Sequence, residues 1–407
     1  MARRNLICGM DIGTSHVRVI VGEINVDGSI NIIGVGKSES LGLKKGVIVD
    51  LDKTVEAITL SVREAERMVG AAIPSAFLGI VGSQVGLVSN RGVVAVAGAD
   101  KEITEEDVDR VLQAARVIAL PPDREIIDVL PREFIVDGYD GIRDPVGMVG
   151  VRLEVEAMIV TGMVTSIRNL VRCVNRAGLE IDGMVLNSLA NSEVTLTHDE
   201  RELGVVLLDM GGGTTEVSVF QNGNLKNIAV VPVGGDYITN DIAVGLRTPL
   251  QTAEKLKLEH GVALPSLAAA GATVEISQIA GKESRKVSVQ ELSLIIEPRL
   301  TEILYLAAQE LAKIGYREPL PAGVVLTGGV SLLRGAPELA EQIFNSPVRM
   351  AQPGYVGVKS PIYSTGVGII HYVQRNHLAS GRVGRRKGPA LPGIISRIRS
   401  WFMETFD

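Results

Sequence analysis

Short apolar runs recur along the chain, and they come in pairs. Residues 6–10, 17–21, 205–208 and 217–220 are almost wholly aliphatic and read as buried strands. An aspartate follows the first run of each pair, Asp11 or Asp209, then glycines mixed with Thr or Ser, then the second run. Each pair therefore predicts a β-hairpin closed by a glycine-rich turn. Val55, Ile58, Val62, Ala65 and Val69 recur at helical spacing and predict an amphipathic helix, followed by a strand at 77–82. Beyond it, residues 85–89, 91–97, 125–130 and 153–160 carry strand patterns. A helix opens at Thr104 with Asp107 as its capping-box partner. Residues 137–147 have the Gly, Asp and Pro content of a surface loop. A helix over 165–177 ends at Gly178, a residue suited to a C-cap. Residues 324–330 form a strand running into Gly328 and Gly329, and a helix opens near Ala336-Pro337 with Glu338 in its first turn.

The order strand, glycine turn, strand, helical segments, strand occurs in both halves. It predicts two similar lobes facing across a cleft, with residues 83–161 inserted as a small α+β module. A chain of 407 residues has room for two or more domains. Composition adds exclusions. With 22% charged residues, a net charge of −6 and no basic stretch interleaved with aromatics in its body, the chain is not expected to bind nucleic acid. Cys8 and Cys173 lie in apolar segments and read as reduced core residues of a cytosolic protein. The opening Met-Ala-Arg-Arg-Asn precedes a short strand, so no signal peptide is expected, and no apolar stretch is long enough to span a bilayer.

The turns carry the chemistry. Phosphate oxygens need N–H donors at close range, and glycine permits that because no Cβ intervenes. Gly13, Gly212 and Gly213 supply such backbone, while Thr14, Ser15, Thr214 and Thr215 add hydroxyls. Asp11 and Asp209 suit the waters around Mg²⁺, which keeps much of its hydration shell at nucleotide sites. Either turn alone is explained as well by closing a hairpin; the pair predicts a clamp for a polyphosphate. No Walker loop occurs, since no G-x-x-x-x-G-K-[ST] is present. Gly328 and Gly329 would let backbone lie against a base or sugar.

In order, the Asp11, Asp209 and 326–335 segments resemble the two phosphate motifs and the adenosine motif of the actin/Hsp70/sugar-kinase ATPase superfamily. Within it, the chain resembles the FtsA family of bacterial cell-division proteins over essentially its whole length. Further cues are residues 233–243, 248–257, 296–299 and 363–372. The resemblance implies an α/β, actin-like two-lobed fold with an inserted α+β subdomain and a C-terminal amphipathic helix. It implies a first-lobe core of 1–82, 162–190 and 360–378, an inserted subdomain of 83–161, a second-lobe core of 191–244 and 301–359, and a small subdomain of 245–300.

The resemblance also implies ATP and Mg²⁺ as ligands. Gly235 and Asp236 would close the cleft from the second lobe, and Glu254 and Lys257 would hold the ribose and pack along the adenine. Read without it, Glu254 and Lys257 are solvated helix charges. Some superfamily members carry a Glu-Pro pair at the hinge where this chain has Asn187-Ser188. An asparagine cannot act as a carboxylate base, so at most weak ATPase activity is expected, with no catalytic residue assigned and Glu193 the one alternative acid named. The family's partners are further copies of itself in a head-to-tail polymer, the C-terminal peptide of FtsZ, and later division proteins met through the inserted subdomain. Arg285 and Arg299 are the positions expected to receive the acidic peptide. Alternatives on the same fold are a PilM-like pilus-assembly protein and a soluble ATPase or kinase.

The C-terminal segment makes a separate case. The chain has one Trp, seven Tyr and six Phe, yet Trp401, Phe402 and Phe406 crowd into its last seven residues. On a helical wheel, Leu391, Ile394, Ile395, Ile398, Trp401, Phe402 and Phe406 fall within an arc of about 140°. Arg382, Arg385, Arg386 and Lys387 precede them in a Gly-containing linker over 379–390. This pattern predicts an interfacial helix over 391–407 that binds anionic lipid reversibly. With the resemblance, it places the protein on the cytoplasmic face of the membrane at the division site, where polymerisation would strengthen attachment by avidity.

Overall fold

The computed structural model describes residues 5–82, 85–277 and 284–379, so the 391–407 helix and its linker lie outside the described residues. The chain divides into two compact units, Gln84–Leu170 and the segments on either side of it. The larger unit opens with β1 (Leu6–Ile12), β2 (His16–Ile24) and β3 (Ile30–Glu39), then the two-residue strands β4 (Leu43–Lys44) and β5 (Val47–Ile48). Helix α1 (Leu51–Val69) and strand β6 (Ser75–Ile80) complete this stretch.

Asp50 caps α1 by accepting from the Lys53 amide, and Gly70 closes it in the left-handed conformation, φ 72°. The buried face of α1 differs from the expected stripe. Thr54, Ala57 and Ser61 are buried with Ile58, Val62 and Ala65, while Val55 and Val69 are half-buried. Small residues sit there because β3 lies almost flat on the helix. A Cβ on Gly36 would fall 1.8 Å from the Ser61 carbonyl oxygen.

The inserted unit contains β7 (Val85–Ala95), α2 (Glu105–Ala115), β8 (Arg124–Val136), β9 (Tyr139–Ile142) and β10 (Arg152–Met163), in a sheet of order β7-β10-β8-β9. Helix α2 opens on the expected capping box of Thr104 and Asp107. It covers a core that includes Val111, Leu112, Val129, Phe134, Leu153 and Val155. Two expectations change. Residues 85–89 and 91–97 belong to one continuous strand over most of their length, and the expected loop at 137–147 contains β9. Asp137 and Gly138 both have positive φ, 47° and 92°, as an Asp-Gly hairpin turn requires, and they fold β9 back onto β8.

The chain then continues through α3 (Val164–Arg176), β11 (Glu180–Leu186), α4 (Asn187–Thr195), α5 (His198–Leu203), β12 (Val205–Met210), β13 (Thr215–Gln221) and β14 (Asn224–Val231). Next come α6 (Gly235–Leu246), α7 (Leu250–His260), β15 (Thr273–Ser277), β16 (Ser284–Ser288) and α8 (Val289–Lys313). The described residues end with β17 (Val324–Thr327), α9 (Ala336–Phe344), β18 (Val348–Met350) and α10 (Ser364–Ala379).

Two five-stranded sheets organise the larger unit, ordered β3-β2-β1-β6-β11 and β14-β13-β12-β17-β18. In each, three strands run antiparallel, the first of them (β1 or β12) pairs in parallel with a fourth (β6 or β17), and that fourth pairs in parallel with the fifth (β11 or β18). The tandem expected from the order of elements is therefore a repeat of topology. Helix α8 packs Leu292, Ile296, Leu300, Ile303 and Leu304 into the core of the second sheet. Helix α10 packs Val367, Ile369, Ile370 and Val373 with Ile20 and Phe77 of the first sheet and Ala190 of α4. Here too backbone meets backbone, since a Cβ on Gly368 would lie 2.0 Å from the Ala190 carbonyl oxygen.

Gly36→Ala tests the flat contact of β3 on α1. Neither backbone can yield as a side-chain tip would, so the substitution should cost about 3 kcal/mol in denaturant unfolding. Gly70→Ala meets no atom within 4 Å, and should cost only about 1 kcal/mol through its positive φ.

Candidate functional site

Both hairpin turns close on one backbone bond, from the Gly13 amide to the His16 carbonyl at 3.1 Å and from the Gly211 amide to the Thr214 carbonyl at 2.9 Å. The turns touch each other. A Cβ on Gly212 would lie 1.8 Å from Ser15 Oγ, and one on Gly213 would lie 2.7 Å from Thr14 Oγ1. Ser15 Oγ donates to Asp236 Oδ1 at 3.2 Å, and Thr14 Oγ1 accepts from the Gly46 amide at 3.0 Å. The first amides of α6 hold the second turn, with Gly235 N–H on the Gly211 carbonyl and Asp236 N–H on the Gly212 carbonyl, both at 2.9 Å.

A cleft of about 300 Å³ opens beside the paired turns. Of the expected residues, Asp11, Gly13, Thr14, Ser15, Asp209, Gly212, Gly213, Thr214, Gly235, Glu254, Lys257, Gly328 and Gly329 line it. Its apolar lining comes from residues that include Leu258, Val330, Leu332, Leu333 and Ile362. Lys257 is 8% exposed, so its reading as a solvated helix charge does not hold. Its Nζ donates to the Gly235 carbonyl at 3.0 Å and Thr239 Oγ1 at 2.7 Å, and pairs with Glu254 at 2.7 Å. That bridge joins α7 to the start of α6.

Several expected residues stand elsewhere. Thr215 is fully buried and its hydroxyl donates to the Val233 carbonyl at 3.0 Å, because it is already the first residue of β13. Asp236 is not among the lining residues and stands behind Ser15 and Gly212, accepting from Ser15 Oγ and donating its amide to the Gly212 carbonyl. Glu193, the alternative acid, pairs with Arg375 at 2.9 Å and Arg201 at 3.4 Å, and it is not among the residues lining the cleft. Arg285 pairs with Glu291, while Arg299 pairs with Asp241 and Glu302 and lies over the Tyr237 ring at 5.7 Å.

The cleft also contains groups not singled out from the sequence. Arg18 and Lys37 line it from β2 and β3, and Glu216 lines it from β13. The strand period offered a signal for Arg18, which alternates with buried Val17 and Val19 directly after the first turn. Glu216 lies opposite Asp209 in the β12–β13 register. It accepts from Ser188 Oγ and from the Gly82 amide at 2.7 Å.

Asp11, Asp209 and Glu216 thus share one buried region. Burial raises the Asp209 carboxyl to about 7, with the negative charges of Glu216 and Asp11 adding to it and an Asn191 hydrogen bond opposing. Burial also raises Asp11, against the pull of Arg18 at 3.5 Å, and it raises Glu216 despite its hydrogen bonds. The same burial, with the charges of Arg18 and Lys37, lowers His16 to about 4. An excess of buried carboxylate over cation suits a divalent ion. Among the described residues, no three His, Cys, Asp or Glu side chains are placed to ligate a metal directly.

The family model for cell division protein FtsA matches residues 206–368, and the model for the SHS2 domain inserted in FtsA matches residues 82–161. Cell division protein FtsA of Bacillus subtilis is 46% identical over 94% of this chain and 86% of its own length. That of Pseudomonas aeruginosa is 42% identical over 98% of both chains. The chain belongs to the FtsA family of cell-division proteins. Its backbone is also similar to a chain of the PilM-PilN type IV pilus biogenesis complex, with a TM-score of 0.62, 16% identity, and 90% of this chain and 98% of that one covered. A second likeness is to MreB5 of Spiroplasma citri bound to ADP, with a TM-score of 0.53, 14% identity, and 91% and 98% covered. The fold of this FtsA-family chain is accordingly actin-like, with an SHS2 domain inserted, and PilM is a distant structural neighbour.

The carboxylate cluster has a measurable cost in the ligand-free protein. Asp209 is held near 7 against an ordinary 3.8. Its contribution to stability is therefore present below about pH 4 and lost as pH rises through about 7. Asp209→Asn should raise the stability of metal-free protein at pH 8 by up to about 4 kcal/mol and change it little at pH 4, measured by thermal unfolding. An equal effect at both pH values would show that charge is not the cause.

Proposed function

We propose that this chain is an ATP-binding scaffold that polymerises on the cytoplasmic face of the cell membrane, tethers FtsZ filaments there and recruits later division proteins. The observation that carries the reading is the cleft itself: two glycine turns in contact, a buried excess of carboxylate and an apolar lining in the same cleft. ATP would set its phosphates against Gly13–Ser15 and Gly212–Thr214, its base against Leu258 and Leu333, and its ribose near Glu254 and Lys257. Arg18 and Lys37 offset phosphate charge. Mg²⁺, held through water by Asp11 and Asp209, would neutralise both the phosphates and the carboxylate cluster.

Turnover is secondary in this reading. Asn187 lines the cleft at 5% exposure and carries no ionisable group, and Glu193 is engaged with two arginines. Glu216 is spoken for by Ser188 and Gly82. Ligand binding then acts chiefly on the contact between the two turns, which belong to different sheets, and so on the shape offered to the next copy in a polymer. The first lobe would comprise 1–82, 162–190 and 360–378, and the second 191–244 and 301–359 with a small subdomain of 245–300. An acidic FtsZ peptide docking on that subdomain would compete with Glu291 for Arg285 and with Asp241 for Arg299. The amphipathic pattern of 391–407 and the basic residues before it support attachment to anionic lipid.

Electron microscopy of the full chain on an anionic lipid monolayer with Mg·ATP tests the whole reading. Filaments are expected, and dispersed particles under all nucleotide conditions would overturn it. Attachment is tested separately with phosphatidylglycerol vesicles. The full chain should co-sediment and detach as salt rises, while a chain ending at Ser380 should remain in the supernatant.

A further inference from the structure

Asp209 is held from behind by a short polar relay. Its Oδ2 accepts from Asn191 Nδ2 at 2.8 Å. Asn191, one helical turn beyond Asn187 on α4 and at 0% exposure, accepts in turn from Thr365 Oγ1 at 3.0 Å through its own carboxamide oxygen. Thr365 lies in the first turn of α10 and lines the cleft. The other carboxylate oxygen, Oδ1, rests over the α-carbon of Gly328, where a Cβ would come within 2.5 Å. One oxygen of Asp209 is therefore tied to α4, and the other faces the glycine wall of the cleft.

The direction of the relay is set by chemistry. An ionised carboxylate has no donor, so the Asn191 amide must present its N–H to it, leaving its oxygen for the Thr365 hydroxyl. The reverse orientation would set two acceptors face to face. A donor fixed in this way also favours the charged form of a carboxylate that burial and two neighbouring acids disfavour.

We infer that Asn191, backed by Thr365, is a positioning residue for the aspartate that takes up the cation. It acts through Asp209 and touches neither nucleotide nor metal. The inference rests on the reading that Asp209 meets Mg²⁺ through water. Partners in this outer position orient a ligand carboxylate, and their loss typically weakens metal binding 10- to 100-fold. A bond that merely fastened α4 to β12 would affect stability without regard to Mg²⁺.

The test is calorimetric titration of the full chain with ATP, once in Mg²⁺ and once in EDTA. The ratio of the two affinities is the readout. Asn191→Leu should reduce the gain conferred by Mg²⁺ by about tenfold or more, with affinity in EDTA unchanged. Thr365→Val should reduce it in the same direction, and Thr365→Ser, which keeps the hydroxyl, should restore it. The two threonine variants also carry the test if Asn191→Leu fails to fold, as judged by thermal unfolding. If the wild type gains from Mg²⁺ and the variants gain equally, or lose affinity equally with and without Mg²⁺, the positioning role is overturned while the nucleotide reading stands. If the wild type shows no gain from Mg²⁺, the reading and the inference fall together.

Discussion

The contact between the two glycine turns is the constraint on which the rest of the structure depends. Ser15 and Thr14 of one turn sit where side chains on Gly212 and Gly213 would have to go. Glycine is thus required here for turn-to-turn approach as well as for the approach of a ligand. The first amides of α6 hold the second turn by its carbonyls, and Lys257 fastens α6 to α7. The second turn, α6 and α7 are thus joined by one chain of short bonds.

Placing the turns together brings the acids together. Asp11 and Asp209 each stand near the end of a central strand, so joining the two hairpins puts both carboxylates, with Glu216, in one desolvated region against one nearby guanidinium. A protein built for stability alone would not hold three acids there, because each raises the cost of ionising the next. The arrangement makes sense as a receptor for positive charge, and the family to which the chain belongs supplies the biological setting. Arg18 and Lys37 on the neighbouring strands line the same cleft, and in the proposed reading they face the phosphates while the acids face the cation.

Much of this was legible beforehand. The hairpins followed from paired aliphatic runs, the helix at Thr104 from its capping box, and most of the lining residues from the glycine and hydroxyl content of the turns. What escaped had physical reasons. The polar, Gly-rich neighbours of Asp137-Gly138 give the pattern of a loop, although the dipeptide itself is a hairpin signal. In sequence, the Thr215 hydroxyl beside the glycine turn looks like its neighbours, but it lies inside β13 and is spent on the Val233 carbonyl. Glu193 follows the Asn187-Ser188 hinge closely in sequence, but two arginines reach it from α5 and α10. Lys257 looked solvated because its neighbours Lys255 and Glu259 are charged, whereas its side chain turns inward to the Gly235 carbonyl.

Local pattern decided the elements and the chemistry of the turns, because periodicity, capping and glycine's lack of a Cβ act over a few residues. The repeat of sheet topology, the contact between the turns and the relay from Asp209 through Asn191 to Thr365 were decided only by tertiary structure. Those partners are separated by many residues along the chain, and a hydrogen bond or a steric limit between them exists only once the two sheets have packed. The amphipathic end, by contrast, belongs to the sequence alone: its apolar arc and basic flank are properties of residue order.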